Sequence, residues 1–313
     1  MYRVLVQLQA QGESKKIIHG QKGHCRFCGS GKAGIFRQLA HLVPEALGNR
    51  WIFSADECDA CNQKFSRYED ALVAAVGSIL TLGGTAGKSG IVRQTGRTTG
   101  NSVLKHTRVG GKRQLLMMAR NVRDYRERVT QDEDWIVMRT PLPATPFSPL
   151  FAYKALLKMA LALVPVADLA RYSNLRQLLL DRDALLTERR AAVGLSFGSI
   201  GNAPHTVVAT LFRRADDALL VPEFMFIVGV GSVCVQIFLT ADKSPNIDFV
   251  CDTQQLQFNV VFRKPGAEDF RITYGDPRLL DWSSAALQPQ PLKEMVLRYH
   301  PGTTRGEFIP VWR

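Results

Sequence analysis

Residues 2–9 alternate, with Tyr2, Val4, Val6 and Leu8 on one side, and this period of two predicts a strand. A Gly/Lys-rich turn follows. Residues 35–43 predict a second strand, and Gly48-Asn49 a hairpin turn into a third over 51–53. The period then lengthens. Phe65, Leu72, Val73, Val76 and Leu80 fall at helical spacing and predict one long helix over residues 57–80. Residues 83–101, rich in Gly, Thr and basic side chains, read as a connector. Prolines punctuate 141–149. Ser148 and Pro149 supply an N-cap and a first-turn proline for a helix over 150–164 that stops at Pro165. Helical pattern continues to about residue 190. From His205 the period returns to two and predicts strands at 206–213, 224–230, 234–239 and 256–263. No internal repeat is visible. The pattern is that of an α+β chain: a small N-terminal module, then a helical segment, then a mainly antiparallel β-sheet.

The chain's 313 residues accommodate two domains or slightly more. A hydrophobic content of 46% excludes wholesale disorder. Charge changes the picture more. Forty Lys and Arg stand against 28 Asp and Glu, a net +12, which favours a polyanionic partner: nucleic acid or an anionic membrane face. The excess is concentrated. Between Lys88 and Arg128 eleven basic residues face only Asp124 and Glu127, giving +9 of the +12. No run reaches the ~18 apolar residues of a membrane-spanning helix. The longest candidate, 224–239, is broken by Gly229 and Gly231 and reads as two buried strands. Residues 155–164 carry Lys158, with Lys154 just before, and read as a core helix with one wet face. Residues 1–11 lack a signal-peptide pattern, which points to a cytoplasmic location and away from a membrane. Gly83-Gly84-Thr85-Ala86-Gly87-Lys88-Ser89 is not a phosphate-binding loop, because Leu82 stands where that loop needs its first glycine.

The cysteines carry chemistry. Cys25-x2-Cys28 and Cys58-x2-Cys61 are separated by twenty-nine residues. Two such pairs fit tetrahedral zinc, and four thiolates close the shell, so the zinc is structural. It would staple a module too small to hold itself together. Six cysteines in all are too few for a disulfide scaffold. Cys234 and Cys251 lie in apolar, strand-like stretches and read as core. His19, His24, His106, His205 and His300 have no partner spacing.

Between the pairs the chain runs Ala40-His41-Leu42-Val43-Pro44-Glu45-Ala46-Leu47-Gly48-Asn49, and the second pair opens Cys58-Asp59-Ala60-Cys61-Asn62-Gln63-Lys64-Phe65. Over about residues 25–75 this resembles the HNH endonucleases, the zinc-stapled ββα-metal nucleases. In particular it is similar to the branch with His-x-x-Pro-Glu-x-Leu-Gly followed by Cys-x-x-Cys-Asn. The resemblance implies metal-dependent hydrolysis of phosphodiester bonds in nucleic acid, DNA ahead of RNA. By analogy with modules of this kind, a role in prokaryotic antiviral defence also follows as an expectation.

Carried over residue by residue, His41 matches the general base, for which an imidazole titrating near neutrality is suited. Asn62 matches the last motif position, which faces a catalytic Mg2+ or Mn2+ from the helix start with a hard oxygen. Cys25, Cys28, Cys58 and Cys61 match the structural zinc. Two departures stand out. Ala40 occupies the position commonly taken by a metal-binding side chain, which leaves Glu45, Asp56, Glu57 and Glu69 as candidate substitutes. The middle asparagine of the motif has no counterpart between Trp51 and Glu57.

The expected organisation is a nuclease module over 1–85, a basic nucleic-acid-contacting segment over 86–140, and an α+β region over 141–313 for recognition, sensing or oligomerisation. Arg120, Arg123 and Arg126 are the expected phosphate contacts. A homo-oligomer and a small-molecule or protein activator acting through the C-terminal region remain open. The reading from another class is a catalytically silent, zinc-containing nucleic-acid-binding protein, and Ala40 is its main support.

Overall fold

The structure is a computed structural model, and it describes residues 2–12, 14–87, 92, 103–109, 112–119, 121–131, 134–186, 191–198, 205–218, 221–242, 262–263, 271–272, 278–301 and 306–313. In chain order the N-terminal elements are strands β1 (Tyr2–Gln11), β2 (Ile17–His19), β3 (Ala40–His41) and β4 (Ile52–Ser54), then helix α1 (Asp59–Gly83). The basic segment forms a hairpin of β5 (Val103–Val109) and β6 (Lys112–Met118), followed by α2 (Val122–Arg128) and strands β7 (Val129–Gln131), β8 (Ile136–Pro141) and β9 (Pro146–Phe147). Helices α3 (Pro149–Leu163) and α4 (Ser173–Leu180) come next, joined by a 3-10 turn over Val166–Tyr172. The C-terminal strands are β10 (Ala192–Phe197), β11 (Thr206–Arg214), β12 (Phe224–Val230), β13 (Val233–Leu239), β14 (Phe262–Arg263), β15 (Arg271–Ile272), β16 (Arg278–Asp281), β17 (Gln288–Pro289), β18 (Leu292–Tyr299) and β19 (Gly306–Trp312). The chain is α+β, and its sheets are almost wholly antiparallel.

The main sheet has the order β1-β11-β12-β13-β10-β16. Its two faces follow the period of two. Val207, Ala209, Leu211, Phe224, Phe226, Val228, Val233, Val235, Ile237 and Leu239 point into the main core. Their alternates Val208, Met225, Ile227 and Cys234 form a second cluster on the other face with Tyr2, Phe212 and Phe238. Burial pushes the Cys234 thiol up to about 12, as befits a small core residue. Cys251 lies outside the described residues.

The first strand joins this C-terminal sheet, pairing β11 antiparallel from Tyr2↔Arg214 to Gln11↔Thr206 with a bulge between Val4 and Val6. Helix α1 packs along α3. One cluster of buried side chains therefore runs from Ala10 through Phe27, Phe65 and Leu72 to Leu104, Leu156, Phe226 and Met295. A smaller sheet, β19-β18-β8-β7, flanks it.

Several boundaries differ from the sequence pattern, each for a local reason. Of 35–43 only Ala40–His41 is strand. The preceding loop turns because the Asp59 carboxylate accepts from the Arg37 and Gln38 amides at 3.3 and 3.1 Å, and the Asp59 amide donates to Ile35 O at 2.9 Å. Helix α1 starts at Asp59, after Cys58 as N-cap, and ends on Gly84 in the left-handed region at φ 77°. Among the described residues, helical structure after Pro165 is limited to the 3-10 turn and α4, at whose end the Asp181 amide donates to Gln177 O; residues 187–190 lie outside the described residues. Residues 256–261 of the last predicted strand lie outside the described residues, as do 88–91 and 93–102 of the connector. Lys154 and Lys158 of α3 are fully buried, so α3 has no wet face there. Each stays inside because its ammonium has partners: Lys154 Nζ donates to Asp181 O and Arg182 O at 2.9 and 3.1 Å, and Lys158 joins two carboxylates described below.

Candidate active site and metal centre

The four cysteines expected to bind zinc come together. One ligand atom from each of Cys25, Cys28, Cys58 and Cys61 lies within 4.8 Å of the others. Cys58 is the N-cap of α1 and Cys61 sits in its first turn, so a rigid helix end supplies one pair. Cys25 and Cys28 lie on a tight turn closed by Gly29 N donating to Cys25 O at 2.8 Å. Without a cation the four thiols cannot all ionise. The Cys61 hydrogen bond pulls the Cys25 thiol down to about 4. Cys61 is pushed up by that same bond, then by burial and the Cys25 charge. Burial, with the Cys25 bond and charge, raises Cys58. A divalent cation at the centre of the cluster removes that mutual repulsion, and an all-thiolate set of this spacing suits zinc.

The knuckle is fastened to the C-terminal region. Arg26, nearly buried, pairs with Asp56 through Nε and Nη2, both at 2.8 Å. Its Nη1 donates to Leu161 O and Val164 O at the end of α3, at 2.7 and 2.9 Å. Arg176 of α4 donates through Nη2 to Phe27 O at 2.7 Å.

His41 lies on a short sheet of order β2-β4-β3. It pairs with Phe53, which pairs with Ile18 across the parallel side. The neighbouring row is Ala40, Ser54 and His19. Adjacent rows point to opposite faces, so His41 and Ala40 diverge. The His41 imidazole is half-buried and packs on the Phe53 ring with centroids 4.6 Å apart. Ala40 is 1% exposed. On its side, burial and the nearby Arg26 hold the His19 imidazole below its ordinary value. That side opens on a cleft of about 910 Å3 lined by His19, Lys22, His24, Arg26, Arg176 and Pro165, among others.

Asn49 does more than turn the hairpin. It is fully buried. Its Nδ2 donates to Val43 O and Ile52 O at 2.6 and 2.8 Å, and its Oδ1 accepts from Trp51 N and Ile52 N at 3.0 and 2.9 Å. One side chain thus ties the segment just after β3 to the start of β4. Gly48 enables the turn: its φ is 101°, and a Cβ there would lie 2.8 Å from Thr85 Cγ2.

The four candidate carboxylates fare differently. Asp56 is consumed by Arg26 and by Ser54 Oγ, which donates to it at 2.9 Å. Glu57 is buried, its Oε2 3.2 Å from Lys158 Nζ. Burial pushes its carboxyl up to about 7, against the pull of Lys158. Glu69, on α1, accepts from Lys158 Nζ at 3.1 Å, and its side chain is 19% exposed. Glu45 opens the 3-10 turn Glu45–Leu47. Asn62 sits in the first turn of α1, half-exposed, one residue beyond the last cysteine.

Of the three arginines expected on phosphate, Arg120 lies outside the described residues. Arg123 and Arg126 project from α2 into solvent, Arg123 paired with Glu127 at 2.9 Å. Tyr125 between them is also exposed. No helix among the described residues is long and apolar enough to cross a membrane.

Residues 25–74, which carry this site, match the family model of the HNH endonucleases. The match starts on Cys25 and ends within α1, so it covers the cysteine cluster, the hairpin and the helix start, about a sixth of the chain. No curated protein and no solved structure matches the chain significantly.

Proposed function

We propose that the protein is a metal-dependent HNH-like endonuclease that hydrolyses phosphodiester bonds of nucleic acid, with DNA the first substrate to test. The observation that supports this reading is the four-cysteine cluster at the start of α1, with Asn62 one residue beyond its last cysteine and His41 on the Asn49-tied hairpin between the two cysteine pairs. His41 takes the proton from the attacking water, and the Phe53 ring beneath it limits its swing. Asn62 would hold a hydrated Mg2+ or Mn2+ through its amide oxygen. When bound, that ion neutralises charge on the scissile phosphate and the leaving oxygen. Zinc on Cys25, Cys28, Cys58 and Cys61 is structural in this reading. Arg123 and Arg126 on α2, with Arg120 before it, hold the phosphate backbone. The C-terminal region governs recognition, assembly or activation, and defence against invading nucleic acid is the role that suits such an architecture.

A second reading is favoured by one observation. Ala40 is buried and offers no ligand, and Asp56 and Glu57 are already engaged. A protein that binds nucleic acid on this scaffold without cutting would look the same there. Plasmid nicking with Mg2+, Mn2+ or EDTA, by wild type and His41→Ala, tests the two: metal-dependent nicking lost in the variant supports the nuclease, and tight binding with no cleavage supports the silent module.

A further inference from the structure

Lys158 lies on α3, 117 residues after His41, yet its Nζ donates to His41 O at 2.5 Å. The same ammonium is 3.2 Å from Glu57 Oε2 and 3.1 Å from Glu69 Oε1. Two of its donor positions are taken by His41 O and Glu69 Oε1, and the Glu57 carboxylate completes an ion pair at 3.2 Å, so three separate pieces of the N-terminal module meet on it: the catalytic strand, α1 and the residue before Cys58. The Lys158 side chain is wholly buried, and so is that of Glu57. The rest of α3 around it is Leu, Met and Ala.

Stability alone does not explain such a group. Buried ion clusters are often replaced by apolar side chains with no net loss, because desolvation offsets the attraction. What an apolar side chain cannot do is hold a carbonyl. Fixing His41 O constrains the His41 peptide, and through it where the imidazole points. We propose that Lys158 is a positioning residue for His41, by which the C-terminal region sets the geometry of the catalytic strand. The proposal rests on the nuclease reading for its effect on rate, but not for its effect on the His41 ring.

The arrangement also makes sense of the fold. Tyr68 donates to Leu179 O, Lys64 to Leu180 O and Arg26 to the end of α3, so α3 and α4 brace the module on several sides. Of these braces, the Lys158 bond is the one made to a residue of the candidate site. A shift of α3 along α1 would therefore reach His41 directly, giving any event at the C-terminal region a mechanical path to the site.

The test uses the full-length, zinc-loaded protein and two variants. In Lys158→Met with Glu57→Gln, both fully buried charges are removed together, and the Glu69 carboxylate that remains is partly exposed to water. Glu69→Gln removes one anchor of the ammonium at a partly exposed position, with little risk to folding. Each is checked for one zinc per chain. The histidine ring signals are followed by NMR, with the His41 resonance assigned from His41→Ala. Single-turnover cleavage and nucleic-acid affinity are measured on the same preparations. The expected result is a His41 signal moved in both variants and more in the double one, with the His205 and His300 signals in place. Cleavage in the double variant falls by roughly 10–100-fold, the size expected when a catalytic group is displaced by about 1 Å, with affinity nearly unchanged. An unmoved His41 signal in Glu69→Gln overturns the proposal, even if the double variant fails to fold. Wild-type cleavage rates in a zinc-loaded double variant overturn it too. If the wild type itself never cleaves, the nuclease reading falls, and the His41 signal still decides this proposal.

Discussion

Replacing Asn49 by alanine tests how the hairpin is held. The side chain makes four hydrogen bonds to the backbone of residues 43, 51 and 52, three of them buried and the one from Trp51 N part-buried. Ile52 O keeps a second donor, the Leu42 amide at 3.1 Å, so the loss is nearer three bonds than four. At about 1 kcal/mol for each net bond, Asn49→Ala should cost about 3 kcal/mol. That is a large part of the ~5–15 kcal/mol that separates a folded domain from its unfolded chain. Asn49→Asp keeps both acceptor contacts but turns carboxylate oxygen toward the two carbonyls, and it should be at least as damaging at neutral pH. The assay is paired urea unfolding of zinc-loaded wild type and variant, followed by tryptophan fluorescence, since Trp51 is one of the tethered residues. A loss under about 1 kcal/mol, with zinc retained, would refute the reasoning and mean that Pro44 and Gly48 suffice to set the turn.

Three further predictions follow from the same geometry. Elemental analysis should find one zinc per chain, and Cys58→Ser should lose it and unfold the N-terminal module, since metal binding at such sites is worth on the order of 10 kcal/mol of folding free energy; a well-folded, zinc-free preparation contradicts this. Burial lowers the Lys154 ammonium from 10.5 to about 8. Below pH 8 both folded and unfolded chains hold that proton, whereas between pH 8 and 10.5 only the unfolded chain does. Wild-type stability should therefore rise relative to Lys154→Met by about 1.4 kcal/mol per pH unit in that window, and parallel pH curves for the two proteins would refute it. Charge reversal at Arg123 and Arg126 should weaken binding to all duplex sequences alike and flatten the salt dependence by roughly 0.9 slope units per lost phosphate contact; an unchanged slope removes α2 from the binding surface.

Much of the site was legible because its signals are local. The paired cysteines, the His-x-x-Pro-Glu run and Asn62 sit within forty residues, and short spacing on a turn or helix start fixes what can converge. Asn49 was visible only as a turn residue. Its position directly after Gly48 in a Pro-punctuated run was the available signal, but four bonds to backbone leave no trace in residue type. Lys158 was read as surface because a lysine in an apolar helix usually snorkels out. Its partners lie far earlier, Glu69 by 89 residues and Glu57 by more still, and no period along the chain connects them. The same holds for β1, whose alternation was plain while its pairing with β11 was not. The hairpin β5–β6 went unpredicted because its apolar residues do not alternate cleanly: basic residues interrupt Val103–Val109, and the apolar residues of Lys112–Met118 form one run.

The central claim concerns His41, and a single comparison bears on it most directly: the single-turnover nicking rate of supercoiled plasmid by wild type and His41→Ala, with Mn2+ present and zinc content matched. The account predicts metal-dependent nicking by wild type and a loss of roughly 10²–10⁴-fold in the variant, the usual contribution of a general base, with plasmid affinity retained. Equal rates in the two proteins would place the chemistry elsewhere in the chain and contradict the account.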